Sequence, residues 1–373
     1  MPANLHRTES TSKKTRQAHQ YSRRAVLAGV IPAVVAVGAV GISNAPRMER
    51  LGQPTGDEDL AAALRPHLTG HHHVACAVLD GDTTRFAGFG VDEHAEFEIA
   101  SISKTFTAAT TMDAVAQGAV SLDTTVGDIL GSRAANSALR DTTLTELATH
   151  SAGLPSTDPA HVAQTLGRTL LRKDPYAGSP EEVIDIALGT EPENVGEYAY
   201  SNMSIALLAQ VVAVATSTPW VEHLKQITQR LGMTHTWAPL TRDALKPDSP
   251  HGYTPAGQPA QPWTGDGWAP AGGVRSTASD LVTNLRTMMD GTNPGREGVK
   301  PLLDLGEGAS QGVIWVINPL KNGGTVTWHN GHSGGFTSFH GYTDDGRGVV
   351  ILTDTATPLD ALALDILEGK VQI

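Results

Sequence analysis

Short apolar runs near the two ends of the chain body predict β-strands. Residues 74–80 and 85–91 are two such runs, and the turn signal Gly81-Asp82 between them predicts a hairpin. Toward the carboxyl end four more strand-like runs follow one another, at residues 312–317, 325–328, 336–342 and 348–353. Strands at both ends of a chain favour one sheet that the two ends build together.

The middle of the chain predicts helices. From about residue 102 to residue 232 apolar positions recur mostly at helical spacing, in pieces separated by loops rich in proline and glycine. The clearest pieces are residues 144–147, 181–188 and 204–215. Further helical patterns cover residues 57–68, 279–289 and 359–367.

Together these patterns predict an α/β (α+β) fold, in which helices flank a mixed antiparallel sheet and a mostly helical subdomain is inserted. The sheet subdomain covers residues 57–105 and about 270–373, and the helical subdomain covers about 106–269. A body of this length can bury a substantial core as one domain or two intimately joined ones. Residues 46–56 ahead of it are predicted to be a linker.

The first 45 residues have the layout of an export signal. Arg23-Arg24 precede an uninterrupted apolar stretch at residues 25–42, and Ser43-Asn44-Ala45 offers small residues for cleavage. The paired arginines resemble the twin-arginine type, which exports folded proteins. We therefore expect an exported, secreted or cell-envelope protein, cleaved near Ala45. A retained membrane anchor stays open, and this segment would be the only membrane contact.

Charge and cysteine content exclude some function classes. The formal net charge is −12, and residues 1–45 carry six basic side chains against one acid, so the remainder holds −17. Phosphate binding requires a basic face, so we expect no nucleic-acid partner. The single cysteine, Cys76, excludes an internal disulfide and is predicted to be buried. The oligomeric state is left open.

A serine and a lysine at the start of a predicted helix form the strongest candidate for catalysis. Ser101 and Lys104 are three residues apart, which places the hydroxyl and the amine one turn apart on the same helix face. The unpaired N–H groups of a helix start favour negative charge on the hydroxyl or on an oxyanion. Ser101 is therefore a candidate nucleophile, although the pair alone is also typical of an ordinary helix cap.

Two further stretches supply possible partners. Tyr200 and Asn202 precede a predicted helix, and they offer a phenol for proton transfer and an amide for a substrate carbonyl. The stretch His332-Ser333-Gly334-Gly335 has glycines inside a strand region, where a ligand approaches closely. The N–H of Gly335 and that of Ser101 could then form an oxyanion hole, and His332 could hold an anionic substrate group.

In this order and at these separations, the three stretches resemble the motifs of the serine β-lactamase and penicillin-binding family. The nearest branch holds class C lactamases, D-alanyl-D-alanine carboxypeptidases, D-amino-peptide hydrolases and esterases. The resemblance runs from about residue 60 to residue 353 and implies an acyl-enzyme on Ser101, with Lys104 and Tyr200 moving protons. It also implies that Asn202 holds the substrate amide, that His332 orients a substrate carboxylate, and that no metal or cofactor is needed.

The third motif departs from class C lactamases, which typically read Lys-Thr-Gly where this chain reads His332-Ser333-Gly334. A histidine there is more usual in carboxypeptidases and esterases of the branch. We therefore expect a D-alanyl-D-alanine carboxypeptidase-like enzyme acting on peptidoglycan peptides. The alternatives are an esterase or D-amino-acid amidase, a β-lactamase, or a penicillin-recognising binding module without catalysis.

Two other motifs are given weaker interpretations. Residues 331–335 match the Gly-x-Ser-x-Gly elbow of α/β-hydrolases, with Ser333 as the nucleophile, but strand-like sequence follows instead of a helix. The run His71-His72-His73 suggests a metal, yet neighbours in an extended loop point to different sides and no acidic ligand follows in a usable register. We expect these histidines to be solvated.

Overall fold

The computed structural model describes residues 51–373, apart from residues 177, 247–248 and 322. The predicted export signal at residues 1–45 lies outside the described residues. In the predicted linker, Pro54–Gly56 forms a strand instead, because it pairs antiparallel with the strand Thr83–Phe89. Within the described part of the chain, no single helix is long and apolar enough to span a membrane. The helices Asn202–Thr216 and Trp220–Arg230 meet the length and hydropathy criteria only when they are taken together, and the chain bends by 85° between them.

Thirteen strands lie in the described residues, and nine of them form one sheet in the order β1-β3-β2-β13-β12-β11-β10-β9-β8. In chain order the strands are β1 Pro54–Gly56, β2 Val74–Asp80, β3 Thr83–Phe89, β4 Phe97–Glu98, β5 Gly252–Tyr253, β6 Pro259–Ala260, β7 Arg275–Ser276, β8 Leu303–Gly306, β9 Ala309–Gln311, β10 Val316–Pro319, β11 Thr325–His332, β12 Thr337–Thr343 and β13 Arg347–Thr353. Every pair in the large sheet is antiparallel, and β2 from one end of the chain pairs with β13 from the other. The predicted sheet built from both ends is confirmed.

The described residues also contain eleven α-helices. In chain order they are α1 Glu58–Leu64, α2 Ser103–Ala116, α3 Val126–Leu130, α4 Leu144–Ala148, α5 Val162–Leu170, α6 Pro180–Leu188, α7 Asn202–Thr216, α8 Trp220–Arg230, α9 Ala269–Gly272, α10 Ala278–Asp290 and α11 Asp360–Leu367. Most begin at a polar cap that the sequence encodes. Ser179, for example, accepts the Glu182 N–H, and the Glu182 carboxylate accepts the Ser179 N–H, which satisfies two N–H groups of the first turn of α6.

The sheet is covered on both faces, and strand alternation explains how. In β13, Val349 and Ile351 face the core formed with the terminal helices α1 and α11, whereas Val350 and Leu352 face the larger core shared with the helical region. All four are fully buried. Burying a side chain of this size stabilises the fold by about 1.5–3 kcal/mol relative to leaving it exposed. Cys76 is buried as predicted, with a free thiol.

The histidine run before β2 is not the solvated loop that the sequence predicted. His71 is buried and its Nδ1 lies 3.2 Å from the Thr353 hydroxyl. His72 and His73 are half-buried, and both rings turn toward Asp354. The chain bends at His72, so the two neighbouring side chains point to one side. The acidic partner comes from the other end of the chain, which sequence spacing could not show.

Candidate active site

Ser101 lies in a short 3-10 turn, Ala100–Ile102, that leads directly into α2. Ala100 before it has a φ of +46°, a backbone conformation that residues other than glycine rarely adopt. The turn is fixed on both sides. Ile99 N–H donates to Val274 O at 3.0 Å, and the Ser338 hydroxyl donates to Ile99 O at 2.7 Å. The sheet and the segment after α9 therefore set the direction of the Ser101 side chain.

The amine of Lys104 lies beside the Ser101 hydroxyl, as the three-residue spacing predicts. Lys104 Nζ is 2.9 Å from Ser101 Oγ and donates to Ala271 O in α9 at 2.5 Å. The side chain is fully buried. Because burial disfavours the charged form, the pKa of Lys104 lies well below its usual value of 10.5. A buried amine of this kind can accept a proton from the hydroxyl that it contacts.

Tyr200 is the second group that contacts the Ser101 hydroxyl. Its hydroxyl donates to Ser101 Oγ at 2.7 Å, and Lys104 Nζ lies 5.0 Å from the centre of its ring. Burial raises the pKa of Tyr200 above its usual value of 10, so the phenol keeps its proton near neutral pH. The nucleophilic oxygen thus contacts both an amine with a lowered pKa and a phenol with a raised pKa.

The loop around His150 holds Tyr200 in place, a role that the sequence analysis did not assign to this histidine. His150 has a φ of +58°, and its ring packs on the Tyr200 ring at a centroid distance of 4.7 Å. Its Nδ1 accepts the Ser201 N–H at 3.1 Å, and its carbonyl accepts the Ala199 N–H at 2.9 Å. Burial keeps the pKa of His150 well below 6.5, so its imidazole is neutral.

Asn202 begins α7, but its side chain does not cap the helix. Ser201 is the cap, because its hydroxyl accepts the Ser204 N–H at 2.9 Å. The Asn202 amide is free to donate to the Tyr176 hydroxyl at 2.6 Å, and Tyr176 in turn stacks on Trp268. The buried Oδ1 of Asn202 has no hydrogen-bond partner within the described residues. An unpaired buried acceptor of this kind can take an N–H from a ligand.

The third sequence motif is not where the prediction placed it. Gly331 packs on the Ser101 turn so closely that an added β-carbon would lie 2.9 Å from Ser101 N. Side chains of a strand alternate between its faces, so His329 shares this face, while His332 lies on the other. The His332 Nε2 is 3.8 Å from Asp360 Oδ2, and Asn330 donates to Asp360 Oδ1. The His332 imidazole therefore does not face Ser101.

His329 lies near the Lys104 amine, on the strand face where His332 was predicted to hold an anionic substrate group. It is buried together with His150 and Gln311, and these residues line a narrow cleft with the half-buried Tyr198 and Tyr200. Burial lowers the pKa of His329 to about 3, so this ring is neutral as well. Burial also lowers the pKa of His332, against the raising effect of Asp360. Neither histidine supplies a fixed positive charge to the cleft.

The backbone of His332, in contrast to its side chain, can serve the site. Ser333 N–H donates to Phe336 O, so odd-numbered residues at this end of β11 exchange hydrogen bonds with β12. Even-numbered amides, including that of His332, then point to the opposite edge. Strand β10 pairs with β11 only as far as Trp328. Beyond Trp328, the turn that carries Ser101 lies against this edge of β11. The His332 N–H replaces Gly335 as the candidate partner of the Ser101 N–H.

Gly335 and Ser333 lie in the hairpin between β11 and β12, and neither is assigned to the oxyanion hole. A β-carbon on Gly335 would lie 2.5 Å from Gly252 C, so its lack of a side chain admits strand β5. The buried Ser333 hydroxyl accepts the Phe336 N–H at 3.3 Å, and a strand follows it. The elbow interpretation of Ser333 therefore lacks the helix that it requires.

The arrangement of Ser101, Lys104 and Tyr200 has the geometry that acyl transfer requires: a hydroxyl within hydrogen-bond distance of two groups that can exchange its proton. Comparisons with known proteins agree with this geometry. The family model described as Beta-lactamase matches residues 60–371.

A beta-lactamase from Psychrobacter immobilis is 27% identical over 243 residues, which are 62% of this chain and 56% of that protein. The chain thus spans about half the length of this relative. Two solved structures share the fold. The class C beta-lactamase from Rhodobacter sphaeroides aligns with a TM-score of 0.71 at 23% identity, covering 85% of this chain and 100% of that one. The Beta-Lactamase/D-Alanine Carboxypeptidase from Pseudomonas syringae aligns with a TM-score of 0.71 at 19% identity, covering 84% and 98%.

Proposed function

This chain belongs to the beta-lactamase family of serine hydrolases, and from that premise we propose that it cleaves its substrate through an acyl-enzyme on Ser101. The observation that carries the proposal is the pair of contacts on Ser101 Oγ, 2.9 Å from the Lys104 amine and 2.7 Å from the Tyr200 hydroxyl. Proton transfer by positioned groups of this kind contributes roughly 10²–10⁴ to the rate.

In the first step the neutral Lys104 amine takes the proton of Ser101 while Oγ bonds to the substrate carbonyl carbon. The N–H groups of Ser101 and His332 stabilise the oxyanion. The leaving group departs with a proton relayed through Lys104 and Tyr200, which leaves the acyl group on Ser101. Water then attacks the ester, the proton transfers run in reverse, and the acid product leaves with Ser101 restored. The Asn202 side chain is placed to bind the amide of the acyl group.

For the substrate, the site favours esters or amides that need no cation for recognition. The resemblance implied that His332 orients a substrate carboxylate, but that imidazole faces Asp360 on the other side of the sheet. His329, on the correct face, is neutral because its pKa is about 3. We therefore put a neutral ester or D-amino-acid amide first. Hydrolysis of D-alanyl-D-alanine peptides is the second candidate, supported by the fold that this chain shares with the Pseudomonas syringae protein. A β-lactam is the third.

A matched pair of peptides separates the first two candidates. An acyl-D-alanyl-D-alanine peptide and the same peptide with a terminal amide differ only in the carboxylate. We expect similar kcat/KM for both, together with turnover of a simple activated ester. A cationic subsite would instead favour the free acid by roughly tenfold or more. Ser101→Ala is the control, and activity that survives in this variant would exclude the proposed nucleophile.

Export is part of the same proposal. Its support is the twin-arginine-like sequence Arg23-Arg24 ahead of the apolar residues 25–42. A hydrolase acting on cell-wall peptides or external esters would work outside the cytoplasm. Fractionation of expressing cells, with Arg23→Lys and Arg24→Lys changed together, tests this. Export that continues unchanged in the double variant would argue against the twin-arginine route.

A further inference from the structure

Two histidines and an aspartate converge at the end of the sheet, outside the candidate active site. His72 Nδ1 lies 3.0 Å from Asp354 Oδ2, and His73 Nδ1 lies 2.9 Å from the same oxygen. The two imidazole rings are 3.8 Å apart between centroids. One ligand atom from each of the three residues falls within 4.8 Å of the others. Two nitrogens and one carboxylate oxygen therefore meet at one point.

The surrounding backbone fixes the three side chains. Asp354 Oδ1 accepts the His73 N–H at 2.9 Å, which leaves Oδ2 directed at the rings. A β-carbon on Gly90 would lie 2.5 Å from His73 Cδ2, so the ring packs in space that only a glycine leaves. Tyr253 packs edge-on against His72 at 5.3 Å. The site is thus formed by the fold before any ligand arrives.

We propose that His72, His73 and Asp354 bind a divalent transition-metal ion, for which Zn²⁺ is the best match. Imidazole nitrogen and carboxylate oxygen are zinc ligands, and bonds of about 2.0–2.2 Å place tetrahedral ligands roughly 3.3 Å apart. The observed separations of 2.9 and 3.0 Å require an expansion of a few tenths of an ångström. Water completes the fourth position.

The exposure and the ring tautomers of the three side chains are compatible with an ion at this point. The Asp354 carboxylate is 3% exposed, whereas the His72 and His73 side chains are 25% and 34% exposed, so the site is open on the histidine side only. In the tautomer that carries its proton on Nε2, each ring presents the lone pair of Nδ1, the atom that faces Asp354 Oδ2, to the ion.

The ion would join parts of the sheet that are distant in sequence. It would link the residues before β2 to the residue after β13. The Asp354 carbonyl accepts the Tyr253 N–H at 2.8 Å, and the same N–H lies 3.0 Å from Gly335 O in the hairpin between β11 and β12. A metal at Asp354 thus stabilises the sheet end that carries this hairpin. The inference does not depend on the proposed catalytic function.

The test is zinc binding by the untagged full chain after removal of metals with a chelator. We expect one equivalent of Zn²⁺ to be retained through gel filtration, with a rise of about 2 °C or more in the unfolding midpoint. Mg²⁺ at the same concentration should give neither effect, because it prefers all-oxygen sites. Equal effects of Mg²⁺ and Zn²⁺ would contradict the proposed histidine ligands.

Single variants then locate the bound ion. His72→Gln and His73→Gln should each weaken zinc binding by roughly tenfold or more, because even the loss of a group that only hydrogen-bonds a metal ligand costs about that much. Asp354→Asn should do the same, but it also disturbs buried backbone contacts, so the two histidine variants decide. His67→Gln, an exposed histidine of the same segment, is the matched control and should bind like the unmodified chain. The inference would be overturned if His72→Gln and His73→Gln both retained one equivalent of Zn²⁺, or if the unmodified chain retained no Zn²⁺.

Discussion

Gly331 lies directly against the backbone of Ser101. A β-carbon at position 331 would stand 2.9 Å from Ser101 N and would also collide with the Ile99 carbonyl oxygen. Neither backbone atom can move without displacing the turn that aims the nucleophile. The two residues are more than 200 positions apart in sequence. Their contact explains why a glycine occupies the buried end of β11.

The first prediction follows from that contact. Gly331→Ala should shift the Ser101 turn and lower kcat/KM by roughly 10² or more, because a misplacement of about 1 Å at a reacting group costs that much. The matched control is Gly167→Ala in helix α5, where an added β-carbon meets no atom within 4 Å and φ is ordinary. It should leave kcat/KM unchanged. Comparable kinetics in the two variants would contradict the close approach of β11.

The second prediction separates the two histidines of β11. His329→Gln should lower kcat/KM by roughly 10-fold or more, because it changes the polar group beside Lys104. His332→Gln should leave kcat/KM close to the unmodified value, since its side chain faces Asp360 and only its N–H serves the site. Steady-state kinetics with one activated ester measure both. A severe loss in His332→Gln with normal His329→Gln would restore the original assignment.

The third prediction concerns the buried amine. Lys104→Met should lower kcat/KM by roughly 10²–10⁴, since the variant lacks the base. Its unfolding midpoint at neutral pH should stay the same or rise. The pKa of Lys104 is lower in the folded than in the unfolded chain, so folding must remove a proton at that pH, and this cost shrinks as pH approaches 10.5. Lys225→Met, at an exposed lysine, should change neither quantity.

A fourth prediction is the pH dependence of the reaction. The reactive form has Lys104 neutral and Tyr200 protonated. Because burial lowers the first pKa and raises the second, kcat/KM should rise as pH increases through the Lys104 pKa and then stay level beyond pH 10. A profile that falls with increasing pH below 10 would contradict these directions. In Tyr200→Phe the rising limb should remain while the plateau drops by roughly 10².

The elements most accessible from sequence were those whose signals are local. The Ser101 and Lys104 contact follows from helix spacing, and the apolar run of β13 identifies a strand buried on both faces. The predicted placement of the third motif was wrong, and the reason is also local. The strand was predicted to end at Trp328, whereas β11 continues to His332. Extending the alternation through His329 and Gly331 would have placed these two on one face.

Other parts of the site could not be predicted because they depend on long-range contacts. Tyr176 contacts Asn202 from a loop whose conformation has no sequence signal. His150 contacts Tyr200 from a backbone position with a positive φ, which the sequence does not indicate for a histidine. Asp354 meets His72 and His73 only because β2 and β13 are neighbours in the sheet. Strand pairing between the chain ends was predicted, but its register was not. Without the register, no side-chain partner across the sheet can be assigned.

The intact mass of the protein after incubation with an activated ester and, separately, with a penicillin tests the acyl-enzyme most directly. We expect that quenched samples carry the mass of one acyl group, that the adduct is absent in Ser101→Ala, and that it forms slowly in Lys104→Met. Such an adduct would place a covalent intermediate on Ser101. An adduct that persists in Ser101→Ala, or turnover unaffected by that change, would contradict the central claim.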